Sequence, residues 1–318
     1  MLSFPPKMKY LVAPLNWGLG HASRCIPLVR RFLDEGHEVI LGGDGESLTL
    51  LRKHFPKLRY VYLAPLNLRY NKGSRQVFAM LRALPQLITW SFKDHALLKA
   101  VLREEHFDLV ISDNRFGLYS KEVKCIYMTH QLHIMLPRGW KWLEPLAERL
   151  HARIYNRFDE VWVPDFKEKE KSLAGDLSHI RNTEVTYIGP LSRLTLTDKN
   201  EAFDVVAVLS GLEPQRSLFE KEIITRYSNT KERVLIVQGL MHRPNTRITR
   251  SNITIIPFIN DIDLASILLG AKHIIARSGY STIMDLYTLG LTDKAELVPT
   301  PGQPEQEYLK EHLFMQKV

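Results

Sequence analysis

Cysteine is nearly missing from this sequence: 318 residues contain two, Cys25 and Cys125. Two thiols cannot build a disulfide framework, and neither stands at a metal-ligand spacing. Both are expected to be buried and inert, one in a helix and one in a strand. Long apolar runs are missing too. No stretch reaches transmembrane length, and Met1 to Lys7 carry no hydrophobic signal segment, so a cytoplasmic protein is expected. There is no helix-turn-helix, zinc-finger or RNA-recognition signature, and the aromatic residues are not interleaved with basic ones as on a base-stacking platform. No nucleic-acid partner is therefore expected. Acidic residues are nonetheless in deficit, 35 against 43 Lys and Arg, for a formal charge of +8. That excess calls for an anionic ligand or an anionic surface.

What is present is a regular alternation of short apolar strands and helical patterns. Lys9 to Pro14, Glu38 to Gly42, Leu58 to Leu63, Phe107 to Ser112, Val123 to Met128 and Glu160 to Val163 read as strands with helices between them. This pattern predicts an α/β fold with parallel sheets. The length suits two domains. Gly189 and Pro190 interrupt the pattern before a polar stretch without periodicity, which puts the boundary between domains 1–190 and 191–318. A new strand, Asp204 to Leu209, follows and runs into Ser210-Gly211, with Pro214 suiting a helix start.

In a parallel α/β domain the ligand crevice lies at the carboxyl ends of the strands. The first strand runs into Asn16-Trp17-Gly18-Leu19-Gly20-His21, with helical periodicity from Ala22 to Glu35. Gly18 and Gly20 let backbone approach a ligand closely, although a purely structural turn is the competing reading. The first two glycines of a dinucleotide fingerprint are here, but Ser23 replaces the third. An oxidoreductase with Asp44 on the ribose is thus the weaker alternative. Asp113-Asn114 and Thr129-His130-Gln131 follow two further strands and are acceptor-side candidates, with helix capping and turn formation as the competing explanation. Further on, Ala271 to Ala276 reads as a strand, Arg277-Ser278-Gly279 as a turn, and Ser281 to Leu289 as a helix. Thr282 and the amides around it would meet a phosphate at that helix N-terminus. Asp285, about one turn in, could accept hydrogen bonds from ribose hydroxyls.

The run Phe258-Ile259-Asn260-Asp261, Arg277-Ser278-Gly279-Tyr280-Ser281-Thr282, Asp285 and Pro299 to Gln306, together with Gly20-His21, resembles the GT-B glycosyltransferases. It is most similar to the inverting UDP-N-acetylglucosamine transferases of peptidoglycan precursor synthesis (glycosyltransferase family 28). The resemblance implies two Rossmann-like domains facing across a cleft, the acceptor on the first and a UDP-sugar donor on the second. It implies that Phe258 and Ile259 cap the base, that Arg277, Ser278, Gly279 and Thr282 face the diphosphate, and that Asp285 holds the ribose. Gln306 would touch the sugar. Ser210 and Gly211 would meet the donor phosphates, which Arg216 would neutralise, and Gly18 and Gly20 would line the cleft. Two departures stand out: Glu307 replaces the second Gln of a pair, and the chain stops at Val318 without the helices that usually cross back to the first domain.

The activity expected on this resemblance is inverting, metal-independent transfer of a hexose or N-acetylhexosamine to an acceptor hydroxyl, without cofactor. His21 is the preferred general base and Asp113 the next candidate. A nucleotide-sugar epimerase using Asp113 and Glu305, or a non-catalytic nucleotide-sugar-binding protein, are the alternatives. Finally, Gly73 to Glu105 carries a long helical stripe including Leu84, Leu87, Ile88, Trp90 and Phe92 beside Arg75, Arg82 and Lys93. It could lie on an anionic membrane, although such a stripe is usually core and Pro85 should kink or split the helix.

Overall fold

A computed structural model describes residues 7–66, 76–180, 184–244 and 246–316. The chain divides into two units, with the break in the main chain path between Leu191 and Ser192. Each contains one sheet.

The first unit holds β1 (Lys9–Pro14), α1 (Gly20–Asp34), β2 (Glu38–Gly43), α2 (Gly45–His54), β3 (Tyr60–Tyr62), α3 (Gln76–Glu104), β4 (Leu109–Asp113), β5 (Lys124–Met128), α4 (Glu144–Tyr155), β6 (Glu160–Val163) and β7 (Thr186–Tyr187). Its seven strands run in the order β3-β2-β1-β4-β5-β6-β7, all parallel. Parallel strands covered on both faces need apolar residues at consecutive positions, which is why Tyr10 to Pro14 of β1 and Leu109 to Ile111 of β4 are apolar without a break. The order reverses between β1 and β4, and there the chain leaves a crevice at the strand ends. Register matters at this point: Pro14, the last residue of β1, stands beside Asp113, the last of β4. Because α1 starts just beyond β1, its first turn lies over the same edge.

Of the kink or split expected at Pro85, the split does not occur, for α3 runs from Gln76 to Glu104 as one helix. Proline removes one hydrogen bond at a cost of about 3 kcal/mol. Burial offsets that cost, because Trp90, Asp94 and Leu98 form a fully inward stripe beyond the proline, and Leu98 joins the core with Phe107, Leu118, Tyr155 and Phe158. The stripe is divided. Trp90 is core, and its indole Nε1 donates to Ala64 O (2.8 Å), whereas Leu84, Ile88 and Phe92 are exposed. Gly73 and Arg75 lie outside the described residues.

The second unit holds β8 (Val205–Val208), α5 (Gln215–Tyr227), β9 (Val234–Val237), β10 (Ile248–Arg250), β11 (Ile253–Ile256), α6 (Asp261–Gly270), β12 (His273–Arg277), α7 (Tyr280–Thr288), β13 (Ala295–Val298) and α8 (Pro304–Gln316). The strand order is β10-β11-β9-β8-β12-β13, with only the β10–β11 pair antiparallel. The reversal falls between β8 and β12, so the turns after those strands, Ser210-Gly211 and Ser278-Gly279, share one edge. Both units are thus open α/β sheets, as the alternation of strands and helices predicts. Among the described residues no helix is long and apolar enough to cross a membrane.

Candidate functional site

Two strand edges collect the polar side chains that the sequence singles out, one in each unit. In the first, Gly18 takes a left-handed conformation (φ 70°) and Gly20 opens α1. Ser47 Oγ donates to Leu15 O (3.2 Å) and Gly18 O (3.4 Å), which ties this loop to α2. His21 then projects from the first turn of α1 toward Asp113, with Nδ1 2.9 Å from Oδ1. Asp113 is fully buried. Arg24, one turn along α1, grips the same carboxylate from both sides: Nε donates to Oδ2 (2.7 Å) and Nη2 makes a short contact with Oδ1. Its remaining nitrogen, Nη1, donates to His130 Nδ1 (2.9 Å) at the end of β5.

Burial by itself would raise the Asp113 carboxyl, but the Arg24 guanidinium and the His21 imidazole outweigh it and hold the group well below the usual carboxylate range. Asp113 is therefore an anion at any working pH, suited to orienting an imidazole and poorly suited to accepting a proton itself. Cys25 Sγ reaches Asp113 Oδ2 (3.7 Å), and burial with the nearby carboxylate pushes its thiol far above the ordinary value. The other acceptor-side candidates do local work. Asn114, itself left-handed (φ 58°), accepts from Tyr127 OH (2.7 Å), and Gln131 N donates to Thr129 Oγ1 (3.1 Å). Asp44, the ribose candidate of a dinucleotide fold, is taken up by Asn16 Nδ2 (3.0 Å) and by the buried Arg115 Nη1 (2.8 Å). The oxidoreductase alternative loses its acid.

In the second unit Arg277 ends β12 and is almost wholly buried. Its guanidinium lies 3.9 Å from the centre of the Phe219 ring and donates to Pro299 O (2.9 Å) and Gln215 O (3.2 Å). Among the described residues no carboxylate bonds it directly; burial lowers its affinity for the proton, against the opposing charge of Glu222. Gly279 is the N-cap of α7, so no side chain caps that helix, and a Cβ built there would meet no atom within 4 Å. Thr282 is half-buried in the first turn. Uncapped amides, a helix dipole and a buried cation make an edge that favours an anion.

Asp285 is half-buried one turn further in, where Oδ1 accepts from Ser192 Oγ (2.5 Å). Burial raises its carboxyl to about 6, against the opposing pull of Arg193 and the Ser192 hydroxyl. Phe258 is buried and Ile259 packs against the core below α6. Gln306 braces its own turn: Oε1 accepts from Thr300 N (2.8 Å), Nε2 donates to Gln303 Oε1 (2.6 Å), and its backbone carbonyl accepts from Ser278 Oγ (2.7 Å). Gly211 is exposed and left-handed (φ 95°), with Ser210 half-buried beside it. Arg216 is buried between Glu213, in short contact, and Glu220 (3.2 Å).

No family model matches the chain. Among curated proteins it is similar to an uncharacterized glycosyltransferase of Methanosarcina acetivorans, 23% identical over 316 residues that cover 94% of this chain and 82% of that one. Another uncharacterized glycosyltransferase, from Methanosarcina mazei, is 20% identical over 328 residues with the same coverage. Among solved structures, the calicheamicin glycosyltransferase CalG4 superposes with a TM-score of 0.60 at 13% identity, over 96% of this chain and 84% of that one. The spinosyn rhamnosyltransferase SpnG, solved with thymidine diphosphate, does so at 0.57 and 13% identity, over 98% and 92%. SnogD from Streptomyces nogalater gives 0.56 at 13% identity, over 98% and 96%. The fold is that of the GT-B glycosyltransferases.

Within this GT-B chain, sequence reasoning missed Arg24. A signal was present: a guanidinium three residues after His21 shares its helix face, and once that face is turned inward it needs acceptors, a carboxylate being the strongest. The expectation of a metal-free site also passes over Asp261-Ile262-Asp263, an Asp-x-Asp spacing. Asp261 pairs with Arg193 Nη1 (2.7 Å), and Asp263 N donates to the Asn260 cap (2.9 Å), whose Nδ2 donates back to Asp263 Oδ2 (2.7 Å). These acids start a helix.

Proposed function

We propose that this chain is an inverting, metal-independent glycosyltransferase that moves a hexose or N-acetylhexosamine from a UDP-sugar to an acceptor hydroxyl. The observation that carries the reading is the His21–Asp113 pair at the first strand edge (2.9 Å). With Nδ1–H donated to a permanently ionised carboxylate, the imidazole keeps a lone pair on Nε2 and gains a counter-ion for the positive charge it acquires on protonation. His21 Nε2 takes the proton of the acceptor hydroxyl, and the oxygen attacks the anomeric carbon. The bond from that carbon to the diphosphate oxygen breaks with inversion, and the departing diphosphate carries the electron pair. The bare N-terminus of α7, with Gly279 and Thr282, and the buried Arg277 would stabilise that charge. Asp285 would read the ribose, Phe258 and Ile259 the base, and Gln306 the sugar. Among the donor candidates, Arg216 fits a phosphate role least, since two glutamates already neutralise it.

The names of the similar proteins and the diphosphate bound to one of them support a nucleoside-diphosphate-sugar donor. Calorimetry with UDP, dTDP and GDP sugars, followed by incubation with labelled donor, tests the reading. Transfer or slow hydrolysis with UDP-sugar preferred is the expected result. Isomerised donor would mean an epimerase, and tight binding without chemistry a sensor.

The same reading includes an anionic membrane as a docking surface. Leu84, Ile88 and Phe92 are exposed on α3. Trp142, Leu146 and Leu150 are exposed at and before α4, beside Arg138, Lys141, Arg149 and Arg153, which make no ion pair among the described residues. Apolar side chains interleaved with unneutralised cations suit an acidic lipid interface.

A further inference from the structure

The group at the first strand edge consists of His21 and Arg24 from α1, Asp113 from β4 and His130 from the end of β5, with Cys25 and Tyr127 packed around them. Arginine has only N–H donors and cannot lose its proton. Its bond to His130 Nδ1 (2.9 Å) therefore makes that nitrogen an acceptor, and the ring proton of His130 sits on Nε2. At His21 the situation is reversed. Nδ1 lies 2.9 Å from Asp113 Oδ1 and 3.0 Å from Arg24 Nη2. An unprotonated Nδ1 would set its lone pair against that buried carboxylate, which already takes the Nη2 hydrogen on Oδ1 and is the stronger partner for the ring proton. Oδ1 is thus the shared acceptor of both groups, and the ring proton of His21 sits on Nδ1.

We propose that Arg24 is the positioning residue of this centre, and that its three-way grip on Asp113 and His130 holds the two histidines in opposite tautomers. His21 is left with a basic Nε2 and His130 with an Nε2–H donor. One ion pair thereby sorts two chemically identical rings into an acceptor and a donor at the same strand edge. Without it, both imidazoles could take either tautomer, and Asp113 would lose the partner that makes its burial tolerable. A lysine could supply the charge but not the fork, since one nitrogen cannot bond both carboxylate oxygens and His130 in this geometry.

The consequence for catalysis rests on the glycosyl-transfer reading, whereas the tautomers do not, so the two are tested separately. Nitrogen-15 spectra of histidine-labelled protein, with signals assigned through His21→Gln and His130→Gln, report the ring proton directly. The expected result is Nδ1–H for His21 and Nε2–H for His130 in the parent, and mixed tautomers for both in Arg24→Gln and Arg24→Lys. Any other tautomer pair in the parent would overturn the proposal, and that measurement needs no variant of Arg24 to fold. Unchanged tautomers in a folded Arg24 variant would overturn it as well. On the transfer assay, Arg24→Gln should lower the rate by about 10²–10⁴-fold with UDP affinity retained, and Arg24→Lys should recover only part of it. Correct tautomers in a protein that transfers no sugar would sink the glycosyl-transfer reading alone.

Discussion

The two strand edges each bury an arginine, and they treat it differently. In the first unit Arg24 is answered by a buried carboxylate and a histidine, so the charges are closed among themselves. In the second, Arg277 is met by backbone carbonyls and the face of Phe219, next to a helix that starts without a side-chain cap. A buried ion pair gives rigid orientation, whereas a buried cation that no carboxylate bonds directly leaves attraction to spare for an incoming anion. The contrast teaches a division of labour under the proposed function: one edge holds a proton acceptor in place, and the other receives the diphosphate.

The largest effects are expected where the closed pair is opened. Asp113→Asn leaves the buried Arg24 without its counter-ion and should cost about 3–5 kcal/mol of stability, read from denaturant unfolding. A loss under about 1 kcal/mol would show that the pair is not the buried clamp inferred from its geometry. His21→Ala should slow transfer by about 10²–10⁴-fold, roughly 3–5 kcal/mol of barrier, while UDP affinity stays near the parent value. Loss of UDP binding in step with rate would break the division between the two edges.

The second edge should respond in the opposite way, in binding. Asp285→Ala is expected to weaken UDP binding by about 1.5–3 kcal/mol, the range for hydrogen bonds to a charged group. Its pH dependence follows from the raised carboxyl. With a value near 6, Asp285 is ionised above that pH and protonated below it, so UDP affinity should fall as pH drops from about 7.5 to 5.5. Calorimetry on Asp285→Asn should give a flatter profile, and an unchanged slope would remove Asp285 from the site. Gly279→Val should fold normally, because a Cβ there meets no atom within 4 Å and φ is an ordinary −77°, yet exclude the diphosphate. Parent-like UDP binding would make the turn structural only.

The smallest effect on the fold is expected at the outer face of α3. Ile88→Ser and Phe92→Ser should change stability by no more than about 0.5 kcal/mol, because both side chains are exposed. Co-sedimentation with acidic vesicles at low salt should nevertheless decrease. Equal sedimentation of parent and variants would leave this stripe without a lipid role. Trp90→Ser is not a usable test of the membrane, because it removes a core side chain and its hydrogen bond.

Much of the fold was legible in the chain itself. Local signals sufficed for it: consecutive apolar residues at β1 and β4, helical spacing after Gly20, and glycine at the left-handed Gly18. Each depends on neighbours in sequence, through φ restrictions, helical periodicity or burial on both faces of a strand. The expected strand Leu58 to Leu63 shrinks to Tyr60–Tyr62 at the sheet edge, where one partner is missing and less of the strand is held. The site was legible as separate pieces: Gly20-His21, Asp113, Arg277 to Gly279 and Asp285 could each be named. Only tertiary structure decided their partners. His21 and Asp113 are 92 positions apart and meet through the register of β1 against β4, while Asp285 and Ser192 are 93 apart. The fate of the α3 stripe was undecided for the same reason, because period alone identifies an apolar face without saying what covers it. Sequence specifies which side chains share an element and a face, but hydrogen bonds and ion pairs depend on distances between elements. Those distances are set only when the whole sheet and its helices pack.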